Sequence, residues 1–222
     1  MEIRVVKKIL AANEGVADEN REMFARAGVY VINLMSSPGS GKTTLLERTL
    51  ERLSGEMGIA VIEGDIRTTL DAERLNRFGA PIVQINTEPF GGDCHLEAAA
   101  IKTAVMELDL GKIDLLVIEN VGNLVCPAEF VVGEDRKMVV ISVAEGEDKP
   151  LKYPLMFREC GTAVINKTDL VEVLEFPIDR LRKNILQIRP DMKIIETSAR
   201  TGAGIDEWCA HIKALVEGKK KN

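Results

Sequence analysis

Residues 36–43 read S-S-P-G-S-G-K-T, a run suited to holding phosphate. It follows an apolar stretch and precedes a helical one, the order that a phosphate loop requires. The glycines let backbone N–H groups turn inward around phosphate oxygens, and the helix start adds its positive dipole end. Ser36 stands where the usual G-x-x-x-x-G-K-[ST] pattern has its first glycine, while Gly41, Lys42 and Thr43 fit the rest. Gly39, Ser40, Gly41 and Thr44 are therefore candidate phosphate contacts. Lys42 is expected to reach the terminal phosphates, and the Thr43 hydroxyl to ligate Mg²⁺.

Residues 166–169 read N-K-T-D. A carboxylate at Asp169 can accept from the N1–H and exocyclic amine of guanine together. Adenine lacks that donor pair and would leave the carboxylate unpaired, so the motif points to GTP over ATP. The Lys167 stem can cover a base face, and Asn166 can tie neighbouring loops. Downstream, Ser198 and Ala199 sit in T-S-A-R, a loop whose N–H groups can meet the guanine O6. Either tetrapeptide alone says little; both in this order after a phosphate loop say much more.

On the hydrolysis side, Asp65 and Glu119 each end an apolar run. Carboxylates placed there can hold Mg²⁺ or orient an attacking water, and Lys42, Asp65 and Glu119 are the catalytic candidates. Whether Asp65 acts as base or as positioner of metal-bound water stays open. Gly122, three residues beyond Glu119, is spaced to offer its N–H to the γ-phosphate. The blander possibility is that both acids merely cap loops.

Cys94, His95 and Cys126 offer two sulfurs and an imidazole from two separate loops. Such donors suit Zn²⁺ or Ni²⁺. No C-x-x-C pair is present, so a zinc finger is excluded. Spacing alone favours two packed cysteines and a surface histidine, and the metal reading rests on the position of Cys126. Cys126 lies four residues after Gly122, so nucleotide state would move a metal ligand directly. Three donors leave a tetrahedral site one short, and a second copy across a twofold axis would complete it. Cys160 and Cys209 read as core.

The chain that must position these groups has 222 residues, 45% hydrophobic and 29% charged, with a formal charge of -6. That suits one globular domain and gives no electrostatic reason to bind nucleic acid or anionic membrane. No signal peptide or membrane-spanning run is legible, so a cytoplasmic protein with reduced cysteines is expected. Residues 5–27 have helical spacing. Apolar runs at 29–35, 59–62, 81–85, 114–118, 138–143, 162–165 and 193–195 alternate with helical stretches such as 43–53, 71–78 and 95–108. This predicts an α/β fold: a mainly parallel sheet covered on both faces, with ligands beyond the carboxyl ends of the strands. The expected division is an N-terminal helical segment (1–28), a P-loop GTPase domain (29–217) and a short, solvated basic tail (218–222).

With these residues in view, the chain resembles the HypB family of [NiFe]-hydrogenase accessory GTPases. The resemblance runs through L-A-A-N at 10–13, E-N-R at 19–21, the phosphate loop, G-D at 64–65 and G-D-C-H at 92–95. It continues through E-N-V-G-N-L-V-C-P at 119–127, E-G-E-D-K-P at 145–150 and N-K-T-D at 166–169. It implies a three-layer P-loop fold of the SIMIBI type and a GTP-promoted homodimer with facing nucleotide sites. Residues matching Cys94, His95 and Cys126 would form a Ni²⁺/Zn²⁺ site at the dimer interface. Slow GTP hydrolysis would gate nickel delivery to the hydrogenase large-subunit precursor, with a HypA-like nickel chaperone as partner. Lys149 matches a position thought to approach nucleotide. Two departures matter: with two histidines in all and no cysteine before Cys94, no nickel-storage tract is expected, and Ser37 replaces the lysine of deviant P-loops. The related UreG family of urease accessory GTPases typically has C-P-H, whereas here Cys126-Pro127 precedes Ala128. A metal-independent GTP switch would use the same loops with the cysteines as packing; a kinase fits the guanine loop poorly.

Overall fold

The computed structural model describes residues 4–65, 69–87 and 94–220, with side chains from residue 11 onward. Residues 92 and 93 of the G-D-C-H run lie outside the described residues, as do 221 and 222.

Seven strands form one sheet: β1 (Tyr30–Ser36), β2 (Ile59–Asp65), β3 (Ile82–Asn86), β4 (Leu115–Glu119), β5 (Arg136–Ser142), β6 (Thr162–Asn166) and β7 (Lys193–Glu196). Their order across the sheet is β3-β2-β4-β1-β5-β6-β7. Every pairing is parallel. This follows from composition, because β1, β4 and β6 are buried throughout, as near-continuous apolar strands covered on both faces must be.

One face is covered by α2 (Lys42–Leu53) and α9 (Ile205–Lys220). In α2, Leu45, Leu46, Leu50 and Leu53 are fully buried, each adding roughly 1.5–3 kcal/mol. In α9, Ile205, Trp208, Cys209, Ile212 and Val216 make the buried stripe, at spacings of three and four. Trp208 also donates its indole N–H to Thr49 Oγ1 at 2.8 Å, joining the two helices. The other face carries α1 (Arg4–Ala27), α4 (Ala98–Val105), α5 (Cys126–Glu129), α7 (Pro154–Glu159) and α8 (Ile178–Ile188). Helix α3 (Leu70–Asn76) and the single turn α6 (Lys149–Lys152) complete the set among the described residues.

Two elements differ from the sequence expectation. The helix expected from residue 95 begins at Ala98, because the Leu96 N–H is taken by the Asn120 side chain and Glu97 is extended. The basic end expected as a solvated tail from residue 218 instead continues α9 to Lys220. Lys219 donates to Val29 O at 2.8 Å and pairs with Asp135 at 2.7 Å, while Lys220 reaches Asp114 at 2.5 Å. The acids lie at the amino ends of the central strands, so the tail is held by partners invisible in its own sequence.

Because the strands are parallel, the ends of β1, β2, β4, β6 and β7 share one edge. The residues 36–43, Asp65, Glu119, 166–169 and 197–199 follow them there.

Candidate functional site

Beyond that edge lies a cavity of about 510 Å³ lined by residues 38–44, Glu63, Gly64, Asp65, Asp71, Arg74, residues 119–122 and Lys167. A second, of about 240 Å³, is lined by Gly41, Thr44, Asn166, Lys167, Asp169, Leu170, Ala199 and Arg200. They share Gly41, Thr44 and Lys167. The volumes are of small-ligand size. The first is ringed by phosphate-type groups and the second by base-type groups.

The phosphate loop is held open from below. Lys42 donates from Nζ to Ser36 Oγ at 2.8 Å, so the serine replacing glycine becomes a rest for the ammonium. Ser37 donates to Glu145, whose other carboxylate oxygen accepts from the Ser142 N–H at 2.8 Å. Gly41 has φ 95°, and a Cβ there would meet Asn166 Nδ2 at 2.5 Å, so the position admits no side chain. Asn166 itself donates to Ser40 O at 3.0 Å and accepts from Thr197 Oγ1 and the Ala199 N–H, both at 3.1 Å. One amide thus ties three loops together. Lys167, at φ 61°, donates to Gly39 O at 2.6 Å.

Four carboxylates, Glu63, Asp65, Asp71 and Glu119, line the phosphate cavity. Glu119 Oε1 accepts from Thr43 Oγ1 at 2.8 Å. Glu63 and Glu119 are cross-strand partners in β2 and β4, both almost wholly buried. Each has its Oε2 buried with no hydrogen-bond partner among the described residues. Orphaned carboxylate oxygens beside a threonine hydroxyl are a hard oxygen set that fits Mg²⁺. Burial pushes Glu119 up, opposed by the Lys42 charge and the Thr43 hydrogen bond. Burial likewise pulls Lys42 down, with Glu119 countering it. Glu63 is pushed up to about 8, by burial first and then by the charges of Glu119, Asp65 and Asp71. Asp65 lines the cavity at the end of β2.

The raised Glu63 carries a pH signature. An acid whose folded pKa exceeds its unfolded value costs stability progressively as pH rises between the two. For Glu63 that window runs from about 4.3 to about 8. Glu63→Gln removes the cost. In protein free of nucleotide and Mg²⁺, its melting temperature is expected to exceed the parent's by roughly 2–8 °C near pH 8.5, and to match it near pH 4.5. Equal shifts at both pH values would refute the assignment.

Glu63 was not singled out by sequence, which placed the acid two residues on. Its register opposite Glu119 is a tertiary fact, although the E-x-D spacing hinted that both residues share one strand face. Arg74 was also missed: it pairs with Glu47 at 2.7 Å and Asp71 at 3.0 Å and donates to Thr44 Oγ1 at 3.1 Å. No motif marks it.

In the base-type cavity, Asp169 accepts from Ser198 Oγ at 2.5 Å and pairs with Arg200 at 2.8 Å. The Ser198 hydrogen bond, with the Arg200 charge, holds its carboxyl below the usual range. Ser198 lines neither cavity; it steadies the aspartate. Lys149 lines neither as well, its ammonium lying 5.6 Å from the Tyr153 ring centroid. Gly122 packs tightly on the phosphate loop, since a Cβ there would stand 3.1 Å from Pro38.

Cys94, His95 and Cys126 come together, with one donor atom from each lying within 4.8 Å of the others. The two sulfurs are 2.6 Å apart, and Cys94 Sγ is 3.9 Å from His95 Nδ1. A tetrahedral ion bound at about 2.3 Å would hold two sulfurs roughly 3.7 Å apart, so about an ångström of opening admits one. The His95 ring stacks on Phe130, centroids 3.8 Å apart. Burial and the neighbouring Cys126 raise the Cys94 thiol. Cys160 and Cys209 lie buried in the core, the Cys209 thiol pushed up to about 11 by burial.

Residues 30–196 match the family described as the CobW/HypB/UreG nucleotide-binding domain. The hydrogenase maturation factor HypB of Azotobacter vinelandii is 48% identical over 211 residues, covering 95% of this chain and 69% of that protein. The chain belongs to the HypB family of hydrogenase maturation factors. A second HypB relative, described as a hydrogenase/urease maturation factor from Helicobacter hepaticus, is 42% identical, with 98% of this chain and 88% of that protein covered. The crystal structure of HypB from Helicobacter pylori in complex with nickel superposes with a TM-score of 0.86 at 39% identity, covering 95% of this chain and 96% of that one. The HypB fold thus accounts for the seven-stranded parallel sheet and for the nucleotide-type cavity at its edge. No helix among the described residues is long and apolar enough to cross a membrane.

Proposed function

We propose that this chain is a cytoplasmic GTPase that couples GTP hydrolysis to nickel delivery during hydrogenase maturation. The observation that carries this reading is one short loop. At its start Glu119 faces the phosphate cavity and bonds Thr43; at its end Cys126 joins Cys94 and His95. Nucleotide and metal therefore pull on the same eight-residue run, 119–126.

On this reading residues 39–44 and Gly122 hold the phosphates, while Asn166, Lys167, Asp169, Ser198 and Ala199 build the guanine site. Lys149, which lines neither cavity of its own chain, is assigned to nucleotide by family resemblance alone, with the partner copy's nucleotide as its target. Mg²⁺ would be held by Thr43, Asp65 and Glu119, supplying charge neutralisation at the γ-phosphate. Lys42 stabilises the charge that develops there, and Asp65 or Glu119 orients the attacking water. Nickel, or zinc, is taken by Cys94, His95 and Cys126, and a second copy of the chain supplies the remaining donors across a twofold axis. A HypA-like chaperone and the hydrogenase large-subunit precursor are the partners that family membership supports. The relative from Helicobacter hepaticus, whose description includes urease, supports urease maturation as a second client reaction.

The test is nickel and zinc titration with size-exclusion chromatography, run with GDP and with a non-hydrolysable GTP analogue. Tight stoichiometric metal, nucleotide-dependent affinity and a dimer with the analogue are expected. Cys126→Ala should weaken nickel binding at least about tenfold. Unchanged affinity and stoichiometry in that variant would leave a metal-independent GTP switch.

A further inference from the structure

The two halves of the soft-donor cluster are 32 residues apart in sequence, and neither sits within a long element. Cys94 and His95 precede α4; Cys126 opens the single turn α5. Asn123 donates to Cys94 O at 3.4 Å, and beneath the loop a buried polar chain also joins the two halves.

Asn120 Oδ1 accepts from the N–H of Leu96, the residue after His95, at 3.2 Å, and from its neighbour Val121 at 3.0 Å. Asn120 Nδ2 donates to Asn33 Oδ1 at 3.1 Å. Asn33 Nδ2 donates to Glu134 Oε1 at 3.4 Å, and Glu134 Oε2 accepts from the Val132 N–H at 2.7 Å. Lys137, the register partner of Asn33 on β5, lies 3.9 Å from Glu134. It donates to the carbonyls of Ala128 at 2.8 Å and Pro127 at 3.4 Å, the two residues after Cys126. All four side chains are less than a tenth exposed.

Four buried polar groups in an apolar setting are costly unless satisfied, and an apolar filling would be as stable or more so. Their benefit is geometry: the chain begins one residue after His95 and ends on the two after Cys126. It passes through β1, which leads into the phosphate loop. Asn120 also directly follows Glu119 and lines the phosphate cavity. A shift of residues 119–122 towards a γ-phosphate would carry the Asn120 amide, and with it the Leu96 N–H.

We infer that Asn120, Asn33, Glu134 and Lys137 are positioning residues of the metal site, with Asn120 transmitting nucleotide state to its Cys94–His95 half. This rests on the proposed nickel and GTP roles and adds a second route of coupling beside the 119–126 backbone. In that arrangement Lys137 sets the position of the Cys126 half in either nucleotide state.

The experiment is calorimetric titration of the full chain with Ni²⁺, in GDP and in a non-hydrolysable GTP analogue, for parent, Asn120→Ala and Lys137→Met. The thiolate-to-nickel absorption band and the melting temperature are recorded for each. The parent should show nickel affinities differing by about 5–150-fold between the two states. In Asn120→Ala that ratio should fall at least about threefold below the parent's, the remainder being carried by the 119–126 backbone. In Lys137→Met both nickel affinities should drop while the ratio persists, so this variant tests the positioning role of the buried chain even if Asn120→Ala fails to fold. A lowered melting temperature with the ratio intact in Asn120→Ala, or an unaltered nickel affinity in Lys137→Met, overturns the inference. A parent without nickel binding, or without a nucleotide-dependent difference, would instead bring down the proposed function itself.

Discussion

Asp169→Asn is expected to weaken guanine-nucleotide binding about 10²–10⁴-fold, since two charge-assisted hydrogen bonds worth roughly 1.5–3 kcal/mol each are lost. The carboxylate is ionised at neutral pH, as an aspartate ordinarily is, and Ser198 and Arg200 hold its pKa lower still. It can therefore accept from N1–H and the 2-amino group together. An amide presents one acceptor and one donor edge, and its NH₂ opposes the amine of guanine. The same amide would suit xanthine, whose C2 oxygen accepts. Calorimetry with GDP and XDP checks both halves: GDP affinity should fall and XDP affinity should rise. Arg200 pairs with the aspartate at 2.8 Å. A melting temperature near the parent's would exclude simple misfolding, and unchanged GDP affinity would remove Asp169 from the guanine site.

Lys42→Ala is expected to lower kcat for GTP hydrolysis about 10²–10³-fold, the usual cost of removing one preorganised charge from a developing anion. The ammonium waits on Ser36 Oγ, 2.8 Å away, in a cavity that otherwise gathers Glu63, Asp65, Asp71 and Glu119. Without Lys42 that cavity keeps Arg74 and Lys167 but loses the ammonium nearest its carboxylates, so nucleotide affinity should fall too, and more for GTP than for GDP. Single-turnover phosphate release at saturating nucleotide separates the two effects. Hydrolysis at the parent's rate would displace Lys42 from the catalytic candidates.

Much of this was legible in sequence because local patterns have local causes. The phosphate loop needs glycine where the backbone turns around an anion. The seven apolar runs are what buried parallel strands look like whatever their order. Cys160 and Cys209 read as packing, and burial explains both. Other features were hidden for a physical reason: their partners are remote in sequence. Glu63 reads as one more acid in a strand until β2 pairs with β4 and sets it opposite Glu119. Asn33 and Lys137 read as polar interruptions in apolar runs until β1 pairs with β5. Arg74 looks like surface charge until α3 packs near α2 and Glu47 meets it. Lys219 and Lys220 look like a loose end until Asp135 and Asp114 are found beside them.

The sequence by itself determined the inventory: a phosphate loop, a guanine-type loop, strand-end carboxylates, two thiols and an imidazole, and the alternating strands and helices able to carry them. Those choices are enforced residue by residue, through backbone conformation and donor chemistry. Tertiary structure alone decided which of them meet. Parallel pairing brings the loop ends to one edge, the register of β2 against β4 creates a crowded pair of buried acids, and the sheet interior threads an amide chain beneath the soft donors. Such convergence depends on long-range packing, whose free energy is shared by many side chains and written in none of them singly.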